Sequence, residues 1–370
     1  MDTPDPQSLD RYHRQMLLPG FGEAGQKRLA DSTVLLLGCG ALGTVAANML
    51  ARAGVGHLVI VDRDFIELTN LQRQILFDEQ DVEDSLPKAE AARRKIARIN
   101  SQVRVTAVIE DINHTNIERL AATGEHGPVD CIVDGLDNFE TRFLANEVAV
   151  KHGIPYVYGG AVGTVGMCYA ILPHTESGDS PWEQAGRATP CLRCIFEQAP
   201  PPGMNPTCDT TGVLGPVVSI VANYEVVEAL KILLGEYDVV NPTLLSIDTW
   251  ANTTRQLKVA RAYEVGECVC CRGRNFEWLA GQYAGGTTTL CGRDAVQLTG
   301  AGENRLNFEH IAARLRSHGE VKLNNFMLRA QITDMNEPFE LTLFNDGRAI
   351  IKGTKQPARA RGIYAKYIGA

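Results

Sequence analysis

Two Cys-x-x-Cys pairs, Cys191-Leu-Arg-Cys194 and Cys268-Val-Cys-Cys271, stand 73 residues apart. That spacing fits a tetrahedral zinc site in which each tight turn supplies two thiolates, a structural arrangement with no open coordination position. The competing reading is that the pairs are unrelated, or that one is a redox dithiol. Cys270, a fifth thiol inside the second pair, could replace Cys271. A second chemical signal lies in Val34-Leu-Leu-Leu-Gly-Cys-Gly-Ala-Leu-Gly43, where Gly38, Gly40 and Gly43 form a G-x-G-x-x-G turn. Such a turn lets backbone amides and a helix N-terminus approach a phosphate. The next strand ends at Asp62, an acid suited to ribose hydroxyls, so taken alone this signature favours NAD or FAD.

The loops after the strands carry more than a dehydrogenase needs. Val61 to Gln74, VDRDFIELTNLQRQ, brings together Asp62, Asp64, Asn70, Gln72 and Arg73. An arginine fork beside a nucleotide suits a phosphate that is transferred or displaced; the bland alternative is a solvated loop. Lys88 follows Pro87, which fits a helix start. A lysine there opposes the helix dipole unless an anion sits nearby, as a triphosphate would. Further on, Asp134-Gly-Leu-Asp-Asn-Phe-Glu-Thr-Arg142 closes another strand. Asp137 is placed to hold Mg2+ or water between nucleotide and acceptor, with Asp134 as the competing candidate.

The elements that must position these groups alternate. A short helical prelude over 10–30, broken at Pro19-Gly20, precedes strand 34–38, helix 43–53, strand 57–62 and helix 87–100. Strands 103–108 and 129–134, helix 138–152 and strand 155–159 follow. This rhythm predicts a Rossmann-like, mostly parallel sheet covered on both faces. Glycine-rich strands over 163–172 give way to a Pro-rich crossover, 173–211, too long for an ordinary connection. An apolar helix near 214–235 and strands 243–249 and 254–259 extend the sheet, and 281–289 reads as a linker. The expected division is a large Rossmann-like domain over 1–275, a linker over 276–289, and a small α/β domain over 290–370. The last contains helix 308–317, strands 328–333, 339–344 and 348–352, and helix 357–367.

With 370 residues, 44% of them hydrophobic, the chain can bury one large core and a smaller one. A formal charge of −8 without a basic cluster argues against nucleic acid. The apolar runs are too short for a membrane span, and the N-terminal segment has no signal-peptide pattern. Ten cysteines in such a chain suggest metal or thiol chemistry and a cytoplasmic location.

Taken together, RYxRQ (11–15), GxGxLG (38–43), D-x-D with NLQRQ (70–74), PKA (87–89), DNFxTR (137–142) and the paired Cys-x-x-Cys resemble one family. This is the MoeB/ThiF/HesA family of adenylyltransferases, related to ubiquitin-activating enzymes; the resemblance covers about residues 10–275. It implies ATP rather than a nicotinamide in the glycine turn, with Ala41 small enough to admit the phosphates. It further implies Asp62 on the ribose, Asn70 and Arg73 on the phosphates, Lys88 on the polyphosphate, and Asp137 on Mg2+. Asp64, Gln72 and Asn138 join the nucleotide site, and Arg14 reaches into a neighbouring subunit, so a homodimer is implied. The implied reaction is attack by the C-terminal glycine carboxylate of a ubiquitin-like sulfur carrier ending in Gly-Gly on the α-phosphorus of ATP. A carboxylate is already a nucleophile at neutral pH and needs no general base. A cysteine desulfurase or other sulfur donor would then supply sulfur.

Cys208 matches the cysteine that some members use for a thioester or persulfide; an inert loop thiol is the alternative. Cys291 is equally ambiguous. No cysteine follows it, which excludes a rhodanese-type active site from the tail. Tyr156 and Tyr158 alternate as core residues. The rival functions are an NAD(P)-dependent oxidoreductase, which leaves NLQRQ, DNFxTR and the cysteine pairs idle, and a non-catalytic binder of ubiquitin-like proteins.

Overall fold

The computed structural model describes residues 9–198, 211–283, 287–290, 295–298, 307–334, 337–344 and 347–368. Its strands begin with β1 (Thr33–Leu37), β2 (His57–Val61), β3 (Arg104–Val108), β4 (Cys131–Asp134) and β5 (Tyr156–Val162). Next come β6 (Val165–Ile171), β7 (Thr243–Asp248) and β8 (Thr253–Lys258). They form one sheet in the order β3-β2-β1-β4-β5-β6-β7-β8. The first five are parallel and the rest antiparallel. Val34 to Leu37 and Leu58 to Val61 are fully buried, which is why both strands read as unbroken apolar runs. β8, at the edge, is exposed along its whole length.

The helices sit where the pattern expects them, with shifts of a few residues. Ala41–Ala53 starts after Gly40 and ends at Gly54, which takes a left-handed φ of 87°. Lys88–Ile99 has Pro87 at its N-cap, so Lys88 is the first helical residue. Phe139–His152 is capped by the Asn138 side chain, which accepts from the Thr141 N–H at 2.9 Å. Gly215–Leu234 packs on Ala41–Ala53 and on β5 and β6. The core between sheet and helices includes Leu35, Val59, Ile132, Phe143, Val148 and Tyr156.

β1 has β2 on one side and β4 on the other, so the chain's path across the sheet reverses between β1 and β4. Ligands of doubly wound sheets sit outside the strands' carboxyl ends at such a reversal. Here the two loops touch. A Cβ on Gly38 would lie 2.5 Å from the Gly135 carbonyl oxygen, and one on Gly135 would lie 2.3 Å from that of Gly38. Only glycine permits this approach, and the φ of 86° at Gly38 independently favours it.

A second compact unit follows Gln282. β9 (Thr287–Leu290), β10 (Ala295–Leu298), β11 (Val321–Leu323), β12 (Met327–Asp334), β13 (Glu337–Phe344) and β14 (Ala349–Lys352) make an antiparallel sheet. Its order is β11-β12-β13-β14-β10-β9. Helices Phe308–Leu315 and Pro357–Tyr367 contribute to its separate core, which contains Leu315, Leu328, Leu341, Ile351 and Ile363. The sequence pattern anticipates both helices and β12 to β14. Strands β9, β10 and β11 escape it. Residues 276–289 are not a free linker throughout: Trp278 and Leu279 donate backbone N–H groups to Glu147, and 287–290 is β9.

Candidate active site

At the end of β2, Asp62 accepts from the Cys39 N–H at 2.6 Å and from the Asp64 N–H at 2.7 Å. Its carboxylate thereby ties the glycine turn to the next loop. Burial pushes its pKa upward, against the Lys88 charge and the two N–H donors, which favour the ionised form. Lys88 is buried at the start of its helix and reaches Asp64 at 3.1 Å. Arg63, between the two acids, pairs with Asp111 beyond β3 at 2.7 Å. Positive and negative groups therefore alternate around the carboxyl ends of β1, β2 and β3.

The loop over 67–74 closes one side. Asn70 is buried and accepts from the Glu67 N–H at 3.0 Å, while Arg73 donates to the Thr69 carbonyl at 3.0 Å. Gln72 is exposed, and its carbonyl supports the start of helix Gly215–Leu234: a Cβ on Gly215 would lie 3.0 Å from it. The Gln74 side chain lies over the glycine turn. Its Nε2 is 3.8 Å from the position of a Cβ on Gly40, and its buried Oε1 has no partner.

The two aspartates after β4 have different surroundings. Asp134 is fully buried and accepts from Arg142 Nε at 3.0 Å, the Tyr156 hydroxyl at 2.6 Å and the Leu136 N–H at 2.8 Å. Burial raises its pKa, opposed by the Arg142 charge and these donors. Asp137 is exposed, and its described hydrogen bond is from the neighbouring Asn138 amide at 3.2 Å. Arg142 also donates to the carbonyls of Leu136 and Gly159 at 2.7 and 2.8 Å, fixing the backbone just before Asp137. This bracing role of Arg142 is not visible in the motif, where the residue appears only as its last letter.

The sulfurs of Cys191, Cys194, Cys268 and Cys271 lie within 4.8 Å of one another: Cys191 is 3.9 Å from Cys194 and 3.6 Å from Cys268, and Cys194 is 3.3 Å from Cys271. Four thiolates about 2.3 Å from a tetrahedral zinc stand roughly 3.8 Å apart, so this donor set fits the metal. Cys270 is turned aside and accepts from Asn146 Nδ2 at 3.4 Å, while Asn146 Oδ1 accepts from the Leu192 N–H.

Arg14 is exposed in the turn His13–Met16 and makes no hydrogen bond or ion pair among the described residues. The structure thus gathers Gly38, Gly40, Ala41, Gly43, Asp62, Asp64, Asn70, Lys88, Asp137 and Asn138 around the sheet reversal. Cys208 and Cys291 lie outside the described residues. Tyr156 and Tyr158 are core residues, as their alternation indicates. A cavity of about 510 Å3 lined by Lys151, His152, Thr175, Asp179 and Arg274 lies at the far end of helix Phe139–His152 and includes none of the candidates. Among the described residues no helix is long and apolar enough to cross a membrane.

Comparison with known proteins gives one consistent result. The model of the ThiF family matches residues 12–270. A Bacillus subtilis protein named sulfur carrier protein ThiS adenylyltransferase is 40% identical over 360 residues, covering 97% of this chain and 99% of that protein. A sulfur carrier protein adenylyltransferase of Thermus thermophilus is 37% identical over 258 residues, 69% of this chain and 89% of that one. Among solved structures, Escherichia coli MccB with ATP superposes with a TM-score of 0.56 at 23% identity, covering 73% of this chain and 76% of that one. At that identity the likeness speaks for the fold.

Proposed function

The chain belongs to the ThiF family, and from that premise we propose how its residues carry out the reaction. It is an ATP-dependent adenylyltransferase that acts on the C-terminal glycine of a ubiquitin-like sulfur carrier protein, for thiamine or molybdopterin biosynthesis, and releases pyrophosphate. One carboxylate oxygen of the carrier attacks the α-phosphorus, the bond to the bridging oxygen breaks, and the acyl-adenylate remains. The observation that carries the site assignment is the division of labour after β4. Asp134 has its oxygens committed to Arg142, Tyr156 and the Leu136 N–H, whereas Asp137 stands exposed on the loop they brace.

In this reading the glycine turn and Ala41 admit the phosphates, and Asp62 takes the ribose hydroxyls on lone pairs left by its two N–H bonds. Asn70, Gln72 and Arg73 hold the phosphates, and Lys88 exchanges Asp64 for the polyphosphate. Asp137, with Asn138 beside it, would hold Mg2+, which supplies charge neutralisation on the phosphoryl oxygens. Positioning and neutralisation carry the catalysis. Zinc on Cys191, Cys194, Cys268 and Cys271 would have a structural role. Residues 1–275 are assigned this chemistry, with 290–370 outside it. Cys208 is assigned the next step, attack of its thiolate on the acyl carbon with AMP leaving, before sulfur arrives from a cysteine desulfurase or another donor.

A homodimer with Arg14 reaching the partner's phosphates is supported by an apolar stripe. Ile220, Tyr224 and Val227 are 39 to 46% exposed at helical spacing on Gly215–Leu234, and Leu17 and Leu18 beside Arg14 are exposed at 71 and 54%.

The test is carrier-dependent exchange of labelled pyrophosphate into ATP, with a carrier that works for the wild type. Asp137→Ala is expected to lose on the order of a hundredfold in rate, about 3 kcal/mol of charge stabilisation. Exchange at the wild-type rate would overturn the site assignment. Calorimetry showing NAD binding and no ATP binding would overturn adenylation itself.

A further inference from the structure

The turn that carries Arg14 is too short to hold itself. His13–Met16 is a single helical turn, followed shortly by Pro19-Gly20, and an isolated turn is unstable in water. Side-chain bonds to residues far along the chain fix it. Gln15 Nε2 donates to Gln26 Oε1 at 2.8 Å and to the Ala53 carbonyl at 2.9 Å. Gln26, fully buried in helix Gly22–Asp31, donates to the same carbonyl at 2.9 Å. About one turn earlier, the buried Tyr12 hydroxyl accepts from Asn100 Nδ2 at 2.8 Å, and Asn100 also donates to the Ala51 carbonyl at 2.8 Å. Arg11 donates to the Asn100 side-chain oxygen. Gly54 makes room for this group: a Cβ there would lie 2.5 Å from Gln26 Nε2 and 2.6 Å from the Tyr12 ring.

These bonds end on the last turn of Ala41–Ala53, yet that helix has other support. The Gly54 N–H already bonds to the Leu50 and Ala51 carbonyls, and Val45, Leu50 and Ala51 are buried in the core. The dependent partner is the short turn. Residues three apart share one face of a helix, so anchoring Tyr12 and Gln15 inward leaves Arg14 facing out. Of the two arginines in the RYxRQ run, Arg11 is tied down on Asn100. Arg14 is exposed, with no hydrogen bond or ion pair among the described residues. Its long side chain therefore leaves the subunit from a base whose direction the two glutamines set.

We infer that Gln15 is a positioning residue for the partner subunit's site: its amide, locked to Gln26 and Ala53, aims Arg14 out of its own subunit. Gln15 itself touches no substrate. The inference rests on the homodimer reading above, in which Arg14 serves the partner's phosphates, and adds to it the residue that sets the direction of the reach.

The experiment measures pyrophosphate exchange by full-length variants, alone and mixed in pairs that exchange subunits, with a sulfur carrier that supports wild-type exchange. Gln15→Met keeps the length and removes the amide. Alone it should lose roughly 10- to 100-fold in rate, the scale of a contact misplaced by about an ångström. With Asp137→Ala, about half the dimers are mixed and each has one intact site of two, so exchange should recover to about a quarter of wild type. With Arg14→Ala it should not recover, because both lesions spoil the partner's site. A merely structural role, supporting Ala41–Ala53 in its own subunit, gives the opposite pattern: recovery with Arg14→Ala and none with Asp137→Ala. That pattern, or wild-type exchange by Gln15→Met alone, would overturn the inference. Gln15→Met leaves Gln26 Oε1 buried without its donor, which can cost folding. The double variant Gln15→Met/Gln26→Met removes both members and should show the same complementation. Failure of the control mixture, Arg14→Ala with Asp137→Ala, would refute the dimer reading and the inference with it; that control leaves Gln15 intact, so the two failures are distinct.

Discussion

Glu225, in the middle of helix Gly215–Leu234, is fully buried, and neither carboxyl oxygen has a hydrogen-bond partner. The carboxyl lies flat on Gly159 of β5, where a Cβ would come within 2.2 Å of its Cδ. Burial drives its pKa well above the usual carboxylate value, the Asp134 charge adds to this, and Arg142 opposes it. The sign of the pH effect follows. The unfolded chain ionises Glu225 above about pH 4.5, whereas the native protein keeps the proton to higher pH. Stability from this group is therefore intact below that pH and is lost as pH rises toward the native pKa. The slope is one proton, about 1.4 kcal/mol per pH unit. Glu225→Gln is isosteric and does not titrate, so its advantage over the wild type should grow as pH rises from about 4.5 toward the native pKa, by at most that slope. For a unit of this size each kcal/mol corresponds to about 2–4 °C in Tm. Glu147, pushed up to about 7 chiefly by burial, titrates in both proteins and cancels in the difference. Circular-dichroism melts across this pH range read the gap directly. A gap that stays constant with pH would refute the reasoning, and a wild type more stable than the variant at pH 7.5 would reverse it.

Elemental analysis of carefully purified protein should find about one zinc per chain, and Cys191→Ser or Cys268→Ser should lose it along with thermal stability. Cys270→Ser should retain the metal, because that sulfur accepts from Asn146 and is not one of the four mutually close sulfurs; less than about half an equivalent in the wild type would count against the four-cysteine assignment. Arg14→Ala and Asp137→Ala should each fail alone in pyrophosphate exchange, yet recover partial activity when mixed, because a mixed dimer rebuilds one intact site. No recovery from a mixture shown to exchange subunits would remove Arg14 from its partner's site.

The parallel sheet was legible because its buried strands are unbroken apolar runs alternating with long helices. Val34 to Leu37 followed by three spaced glycines admits few other arrangements. The four-cysteine cluster was legible from spacing, since each short turn brings two sulfurs together. What the sequence left open was the choice within pairs. Asp134 and Asp137 are three residues apart and chemically alike; they separate only when Tyr156, on the next strand, and Arg142, on the next helix, both reach Asp134. Cys270 and Cys271 are adjacent, and Asn146, more than a hundred residues earlier, draws Cys270 aside. Gln72 and Gln74 pose the same problem: the turn exposes one and buries the other over Gly40. In each case the deciding partner is distant in sequence, and local pattern carries no trace of it.

Helix Phe139–His152 runs from the Asp137 loop to the cysteine cluster. Its N-terminus is capped by Asn138, next to Asp137, so the direction of the first turn sets where Asp137 stands. One turn further, Arg142 bonds back to the Leu136 and Gly159 carbonyls. Asn146, another turn on, holds the Leu192 N–H inside the first Cys-x-x-Cys, and Glu147 accepts from Trp278 and Leu279 just beyond the second. Arg193, between Cys191 and Cys194, lies 3.8 Å from Glu147 and 3.4 Å from Glu277. The two cysteine turns therefore grip this helix from both sides, and a metal joining them would fix the helix along its axis. A metal on the four thiolates would thereby brace the helix whose other end carries the Asp137 loop.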